Sequence, residues 1–147
     1  MSSQTHKLIN SQTYKLTNSQ TYKLMKAINT KNAPAAIGPY SQAIEVNGFV
    51  YTSGQLPIDP ATGEFAGSDI KSQAEQSLKN VKAILEEAGL TMKNVVKTTV
   101  FLADMADFAA MNEVYSTYFS EPYPARSAVA VKTLPKGALV EIECVAV

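Results

Sequence analysis

Between residues 69 and 88, apolar side chains recur every three or four positions, which is the spacing of one face of an α-helix. The apolar positions are Ile70, Ala74, Leu78, Val81, Leu85 and Ala88. Ser68 is a candidate N-cap, since its hydroxyl can accept a hydrogen bond from an unpaired N–H of the first turn. Gly89 is expected to end the helix at the C′ position. The segment therefore predicts an amphipathic helix that packs on a core.

Short runs of β-forming residues lie on both sides of this helix. Residues 43–46 and 49–53 are separated by Asn47-Gly48, which is typical of a two-residue hairpin turn. Residues 95–102 are rich in β-branched side chains and predict a central strand. Residues 59–63 (Asp-Pro-Ala-Thr-Gly) indicate a turn, because proline presets φ and glycine readily adopts a positive φ.

A second helix is predicted to follow Asp104, which is placed to cap it. Its apolar stripe, expected to lie mostly in the core, consists of Met105, Phe108, Met111, Tyr115, Tyr118 and Phe119. Pro122 and Pro124 prevent the helix from continuing. Residues 127–132 and 139–147 then predict two strands, joined by a hairpin-type connection around residues 134–137.

This order of elements predicts an α+β fold, a mixed β-sheet with two helices packed on one face. The other face of the sheet must contact water or another subunit. The last predicted strand contains the run Val-Glu-Ile-Glu-Cys-Val-Ala-Val, which is too apolar to face water alone. We therefore expect an oligomer.

The first 24 residues differ from the rest, because the unit Ser-Gln-Thr-(His/Tyr)-Lys-Leu begins at residues 3, 11 and 19. A period of eight residues with one leucine per unit is too short for a structural repeat. We interpret residues 1–24 as a low-complexity tail and residues 25–147 as the folded domain. One hypothesis makes Met25 the original start, preceded by a duplicated leader. The alternative is an organellar targeting leader, since residues 1–44 contain no Asp or Glu, although this stretch also lacks arginine.

Composition narrows the class of protein. Apolar residues make up 46% of the 147 residues, and 13 basic residues balance 13 acidic ones, which argues against a disordered polyelectrolyte or a basic nucleic-acid binder. Lys7, Lys15 and Lys23 lie in the tail, so residues 25–147 carry 10 basic and 13 acidic residues. No apolar run is long enough for a membrane span or a secretory signal. We expect a cytoplasmic protein.

The rarest residue types restrict the chemistry further. Cys144 is the only cysteine, and the only histidine, His6, lies in the tail. The domain therefore lacks the residues for a Ser-His-Asp triad, a Cys-His pair or a zinc site built on histidine or cysteine. Cys144 itself is expected to be a small buried core residue. Carboxylates, hydroxyls, lysines, backbone groups and one arginine remain for any chemistry.

That arginine is Arg126, at the start of a predicted strand. Its planar guanidinium suits two parallel hydrogen bonds to a carboxylate or phosphate. The alternative is a surface arginine in a structural ion pair. Because the other 12 basic residues are lysines, a single arginine mildly favours a geometric role.

Glu141 and Glu143 alternate with apolar residues, so both point to one face of the last strand. A solvated sheet face explains this pattern equally well. If the last two strands pair through residues 133 and 138, Arg126 shares that face, but about 13 Å separates Glu141 from the point opposite Arg126 at about 3.3 Å per residue. Either the two mark opposite ends of a cleft, or Arg126 meets a glutamate of a neighbouring subunit.

Two segments place hydroxyl groups beside glycines, where a ligand can approach the backbone closely. They are Gly38-Pro-Tyr-Ser-Gln42 and Thr52-Ser-Gly-Gln55. Ordinary turn formation accounts for both equally well.

Taken with the surrounding residues, these segments resemble the RidA (YjgF-type) family of reactive intermediate deaminases over roughly residues 25–147. The resemblance rests on Asn32-Ala-Pro-Ala-Ala-Ile-Gly-Pro-Tyr-Ser-Gln42, Thr52-Ser-Gly-Gln55, Gln76-Ser-Leu-Lys-Asn-Val81, Val96-Lys-Thr-Thr-Val-Phe101, Asn112-x-x-Tyr115, Pro124-Ala-Arg-Ser127 and Ile142-Glu143. It implies a chorismate-mutase-like homotrimer with ligand clefts between subunits and no metal or cofactor. The implied reaction is hydrolysis of 2-imino acids, such as 2-iminobutyrate and 2-iminopropionate, to 2-keto acids and ammonia.

The resemblance also assigns roles to residues. Arg126 would bind the substrate carboxylate, Glu141 would orient or activate water, and the backbone at Ala128 would hydrogen-bond the imine nitrogen. Tyr40, Ser53 and Asn112 would line the cleft. Many members have cysteine at the position of Ala128, so thiol chemistry there is absent, and residues 120–124 are shorter than in some relatives, which could reshape the cleft rim.

Two other functions fit the same resemblance. A trimeric 2-keto acid-binding or chaperone-like protein would show no turnover, so steady-state release of keto acid separates it from an enzyme. RNA cleavage is disfavoured, because the domain is acidic, contains no tryptophan and lacks a basic run interleaved with aromatic residues.

Overall fold

The computed structural model describes residues 25–147, so the predicted tail, residues 1–24, lies outside the described residues. The strands are β1 (Lys26–Ile28), β2 (Ala43–Val46), β3 (Phe49–Thr52), β4 (Val95–Leu102), β5 (Ala125–Ala130) and β6 (Val140–Ala146), and the helices are α1 (Ile70–Glu87) and α2 (Phe108–Tyr115). Short 3₁₀ turns span Met92–Asn94, Met105–Asp107 and Pro135–Gly137. Strand β1 was not predicted, since three residues are too few to show a period.

The strands form one six-stranded sheet in the order β1-β2-β3-β6-β4-β5. All neighbours are antiparallel except β4 and β5, which run parallel. A mixed sheet of this kind confirms the predicted α+β class. The long, β-branched strand β4 lies between β5 and β6, which confirms its predicted central place.

Local sequence signals explain several element ends. Asn47 and Gly48 have φ values of 51° and 81°, so the predicted hairpin turn between β2 and β3 is confirmed. Helix α1 is capped by Asp69 rather than Ser68, because the Asp69 carboxylate accepts hydrogen bonds from both the N–H and the hydroxyl of Ser72. Gly89 follows the C-cap with a φ of 79°, as predicted.

The second helix is shorter than its apolar stripe. Asp104 does act as a cap, but for the 3₁₀ turn that precedes α2, where its side chain accepts from the N–H of Ala106. Met111 and Tyr115 are buried, whereas Met105 is exposed. The remaining aromatic residues of the stripe pack partly against the core.

Both helices lie on the same face of the sheet, as predicted. The buried positions of β6 alternate along the strand and pack against α1. They are Val140, Ile142, Cys144 and Ala146. Cys144 is therefore a core residue, as expected, and burial raises the pKa of its thiol to about 12.

The predicted hairpin between the last two strands is wrong. Among the described residues β5 pairs with β4 alone, in parallel, and β4 separates it from β6. The reason is topological: α2 carries the chain from the end of β4 back to its start, so β5 runs beside β4 as the second strand of a parallel crossover. Arg126 is then in register with Thr98 of β4 and, across it, with Cys144.

Candidate functional site

The side chain of Arg126 lies on the helix-covered face of the sheet, where α2 packs beside it. Its Nη1 donates a hydrogen bond to Oδ1 of Asn112 at 2.6 Å. The guanidinium carbon lies 4.6 Å from the ring centre of Tyr115 and 5.3 Å from that of Phe108. Among residues 25–147 no carboxylate forms a salt bridge with Arg126, so the structural ion pair considered above is not found there.

The side chains that contact the guanidinium of Arg126 are therefore neutral. Its other N–H groups have no carboxylate partner among the described residues. A guanidinium in this state can bind an incoming carboxylate with two parallel hydrogen bonds. The aromatic contacts favour the cation without neutralising it. This arrangement suits a small anionic ligand.

The backbone at Ala128 faces the free edge of the sheet. The N–H of Val131 donates to the carbonyl of Leu102 on β4. Successive residues of a strand direct their backbone groups to alternate sides, so Ser127 and Val129 also point toward β4 and Ala128 points away from it. Because β5 is the last strand of the sheet among residues 25–147, no described strand covers the N–H and C=O of Ala128, and both can meet a ligand beside Arg126.

Glu141 and Glu143 share a face of β6, as predicted, but it is the face opposite the helices. The prediction that Arg126 shares this face is wrong, because it relied on direct pairing between β5 and β6. Arg126 is in register with Thr98 and Glu141 with Phe101, so the two side chains point to opposite faces and lie three positions apart along β4. One chain does not bring them onto one small ligand.

The carboxylate of Glu141 rests against Gly54, where a Cβ atom would lie only 2.6 Å from Oε1. Gln55 holds this segment to β6 through two backbone hydrogen bonds with Ile142. Burial raises the pKa of Glu141, and the nearby charge of Glu143 raises it further. A carboxylate with a raised pKa in a partly buried place suits proton transfer with a water molecule.

Tyr40 lies on the same side of the molecule as Gly54. Together they line a cavity of about 100 Å³ that also includes Lys136. Tyr40 is 53% exposed, so its ring is available to a ligand or to a second chain. Ser53 is tied down, because its N–H donates to Gln42 O at 2.8 Å and its hydroxyl to Ser41 O at 2.6 Å.

Buried amides of α1 hold this second group of residues in place. Asn80 donates to the carbonyls of Leu56 and Ile58, just after Gly54, and Gln73 accepts from the N–H of Leu139, just before β6. From the sequence, residues 76–81 were identified only as one of the motifs that resemble the RidA family. The signal it missed is a pair of amides on the apolar face of a helix, where a polar group must find a partner.

The predicted site residues thus form two groups within one chain. Arg126, Asn112 and the Ala128 backbone lie together on the helix side at the β5 edge. Tyr40, Ser53 and Glu141 lie around the segment that contains Gly54. A cavity of about 960 Å³, lined by residues of α1, of segment 91–95 and of segment 117–124, contains none of them.

Neither a helix that could span a membrane nor a cluster of metal-binding side chains is found among residues 25–147. None of the helices there combines the length and apolar character needed to span a membrane. Across residues 25–147, no three or more His, Cys, Asp or Glu side chains cluster in a way that could bind a metal ion.

Comparison with known proteins adds relatives over the same region. The sequence model of the Endoribonuclease L-PSP family matches residues 30–147. A RutC family protein of Pyrococcus horikoshii is 57% identical over 121 residues, covering 82% of this chain and 96% of that protein. The 2-iminobutanoate/2-iminopropanoate deaminase of Salmonella typhimurium is 54% identical, covering 83% and 97%. The crystal structure of Escherichia coli TdcF with bound serine is 50% identical, with a TM-score of 0.79, covering 83% and 98%.

Proposed function

Because this chain belongs to the Endoribonuclease L-PSP family, which includes the YjgF and RidA proteins, we propose that it hydrolyses reactive 2-imino acids, 2-iminobutyrate and 2-iminopropionate, to 2-keto acids and ammonia. Imine deamination is supported at the level of the family by relatives that carry this name. The observation that carries the proposal is the only arginine of the chain, Arg126, held by neutral side chains beside an open strand edge.

In this proposal Arg126 binds the carboxylate of the substrate through two hydrogen bonds. The carbonyl of Ala128, which points to the free edge, accepts a hydrogen bond from the protonated imine nitrogen. Asn112 orients the guanidinium, while Tyr40 and Ser53 line the other wall of the cleft. These contacts fix the planar imine so that one face of its C2 atom is exposed to water.

Glu141 then acts as the general base. It accepts a proton from water as the oxygen bonds to C2, which gives a carbinolamine. Glu141 passes that proton to the nitrogen. As the C–N bond breaks, Glu141 takes the proton of the carbinolamine hydroxyl, so the C2–O bond becomes the keto group, and this proton leaves with the ammonia as ammonium. Atoms and charges balance without a redox partner, and the raised pKa of Glu141 makes its carboxylate a better proton acceptor than that of an ordinary glutamate.

The site requires two chains. Within one chain Arg126 and Glu141 lie on opposite faces of the sheet, so we propose that the Arg126 group of one subunit faces the Glu141 group of the next in a homotrimer. The open face of the sheet supports an interface, because it exposes large apolar side chains. They include Phe49, Tyr51 and Val129.

Steady-state kinetics test the proposal. A pyridoxal-phosphate-dependent dehydratase generates 2-iminobutyrate in situ, and release of 2-oxobutyrate and ammonia is followed with and without this protein. We expect multiple turnovers per subunit above the uncatalysed rate. A protein that binds 2-oxobutyrate but gives no acceleration would instead be a keto acid-binding protein. RNA cleavage is disfavoured, since residues 25–147 carry more acidic than basic side chains.

Replacing Gly54 by alanine is expected to lower kcat about 10- to 100-fold, because misplacement of a catalytic group by about 1 Å has an effect of this size. The new Cβ would meet the Glu141 carboxylate at 2.6 Å, while the backbone tolerates alanine, since Gly54 is not among the glycines with a positive φ. The measurement is kcat for 2-iminobutyrate. In a Glu141→Gln background the same change should cause little further loss, and a large additional loss there would mean that the effect does not pass through Glu141.

Removing residues 1–24 is expected to change neither the thermal midpoint nor the deaminase rate. An eight-residue unit with a single leucine has too little apolar surface to offset the entropy of ordering its backbone. Calorimetry and the coupled assay on the full chain and on residues 25–147 provide the comparison. A lower Tm or the loss of the oligomer on truncation would show that these residues pack on the domain.

A further inference from the structure

The guanidinium of Arg126 lies against the ring of Tyr115, which is buried in the core. We propose that Thr98 and Tyr115 are positioning residues for Arg126: their buried hydrogen bond fixes the ring on which the guanidinium lies and so sets the direction in which it meets a carboxylate. This inference rests on the proposed function only in assigning Arg126 to the substrate carboxylate.

Strand register places the three side chains together. Thr98 of β4 is the parallel partner of Arg126 on β5, so their side chains point to the same, helix-covered face. Thr98 is 1% exposed and Tyr115 5% exposed. The Thr98 hydroxyl and the Tyr115 hydroxyl are 2.7 Å apart, so the only polar atom of the Tyr115 side chain is paired inside the core.

A second aromatic side chain also holds the Tyr115 ring. The ring of Phe119 packs against it with centres 4.5 Å apart. A ring held by a hydrogen bond at its tip and by an aromatic neighbour at its side has one orientation. The guanidinium 4.6 Å from its centre takes its own orientation from that ring and from the hydrogen bond to Asn112.

The Tyr115 ring orients the guanidinium of Arg126 without neutralising its charge. Burial raises the pKa of Tyr115, so the phenol stays neutral and does not become a counter-ion for Arg126. A carboxylate in the same place would stabilise the cation more strongly but would compete with an anionic ligand. An arginine held in this way loses little side-chain entropy when a ligand binds, which favours tight binding of a small carboxylate.

Matched variants test this role. Tyr115→Phe keeps the ring and removes the hydroxyl, and Thr98→Val removes the hydroxyl partner at nearly constant volume, whereas Thr98→Ser retains it. Tyr118→Phe is the control. It also removes one hydrogen-bonded hydroxyl, which donates to Glu75 at 2.6 Å, but the Tyr118 ring is not one of the two that lie against Arg126. The readouts are KM and kcat for 2-iminobutyrate, Kd for 2-oxobutyrate, and Tm.

We expect Tyr115→Phe and Thr98→Val each to raise KM and Kd about three- to tenfold with kcat changed less than twofold, because the contact to the carboxylate is made in ground and transition states alike. Thr98→Ser and Tyr118→Phe should keep wild-type KM. In the double variant Thr98→Val/Tyr115→Phe no hydroxyl is left unpaired, so Tm should recover relative to Thr98→Val while KM stays raised.

A purely structural contact would give a different pattern. If Tm falls in the single variants while KM and Kd stay within twofold of wild type, the positioning role is wrong. If the wild-type protein binds 2-oxobutyrate without turnover, the proposed function fails, but the Kd series still decides on Thr98 and Tyr115. If wild-type binding of 2-oxobutyrate does not depend on Arg126, both proposals are wrong.

Discussion

Replacing Arg126 by alanine is expected to abolish detectable imine hydrolysis while the protein keeps its fold. Truncating one partner of a desolvated charge pair costs about 2–5 kcal/mol, and loss of substrate orientation adds to this. The fold should survive because Arg126 makes no salt bridge within residues 25–147, and its contacts are one hydrogen bond and two ring faces. The measurement is kcat/KM for 2-iminobutyrate together with Kd for 2-oxobutyrate.

Lysine at position 126 should not restore the activity. A lysine ammonium is a point charge that can neither donate two parallel hydrogen bonds in a plane nor stack on Tyr115 as a guanidinium does. Lys132→Ala is a matched control, since it removes an exposed basic residue two positions beyond the same strand. Near-normal turnover by Arg126→Lys would show that charge alone suffices, and the argument from geometry would fail.

Replacing Glu141 by glutamine is expected to lower kcat about 10²- to 10⁴-fold, which is the usual contribution of a general base. Kd for 2-oxobutyrate should change little, because the amide keeps the shape of the side chain beside Gly54. Collapse of keto acid binding would instead make Glu141 a structural residue.

The pH dependence of protein stability separates the same two roles of Glu141, general base and structural residue. Burial and the charge of Glu143 raise the folded-state pKa of Glu141, so ionising Glu141 opposes folding. The folded state is therefore more stable with Glu141 protonated than with Glu141 ionised. This stabilisation is fully present below the unfolded-state pKa and is lost as the pH rises through the raised folded-state pKa. At neutral pH Glu141→Gln should therefore leave Tm unchanged or higher.

The acid limb of the rate profile reports the same group. A general base must be ionised, so kcat/KM should fall as the pH drops through the raised pKa of Glu141, at a higher pH than an ordinary glutamate would give. Glu143→Gln is the matched control: it removes a like charge, so the acid limb should move to lower pH while the plateau rate stays the same. An acid limb that does not move would mean that Glu141 is not the titrating base.

Local signals predicted most of this fold. The Asn47-Gly48 turn, the apolar face of α1 and the β-branched strand β4 all depend on interactions within a few residues, and all three were confirmed. The pairing of β5 was not predictable in the same way. A short connection over residues 131–139 is compatible with a hairpin, and only the position of α2 shows that β4 separates the two strands.

The wrong pairing of β5 also made the predicted arrangement of the candidate site wrong. Side chains alternate along a strand, so a wrong partner for β5 moved Arg126 to the face of Glu141. Residue types and motifs still selected Arg126 and Asn112, which the structure joins by a hydrogen bond. The close approach of Gly54 to Glu141 joins segments more than 80 positions apart, so no local pattern reports it.

Mixed oligomers test the central claim most directly, which is that Arg126 and Glu141 of different subunits act on one imine. Arg126→Ala and Glu141→Gln chains, each inactive alone, are co-expressed with different affinity tags, and oligomers that contain both are isolated. In a trimeric ring with shared sites, every mixed oligomer brings an intact Arg126 and an intact Glu141 together at one of its three sites, so about a third of the wild-type rate is expected. A mixed oligomer no more active than its two parents would contradict the shared site and the mechanism built on it.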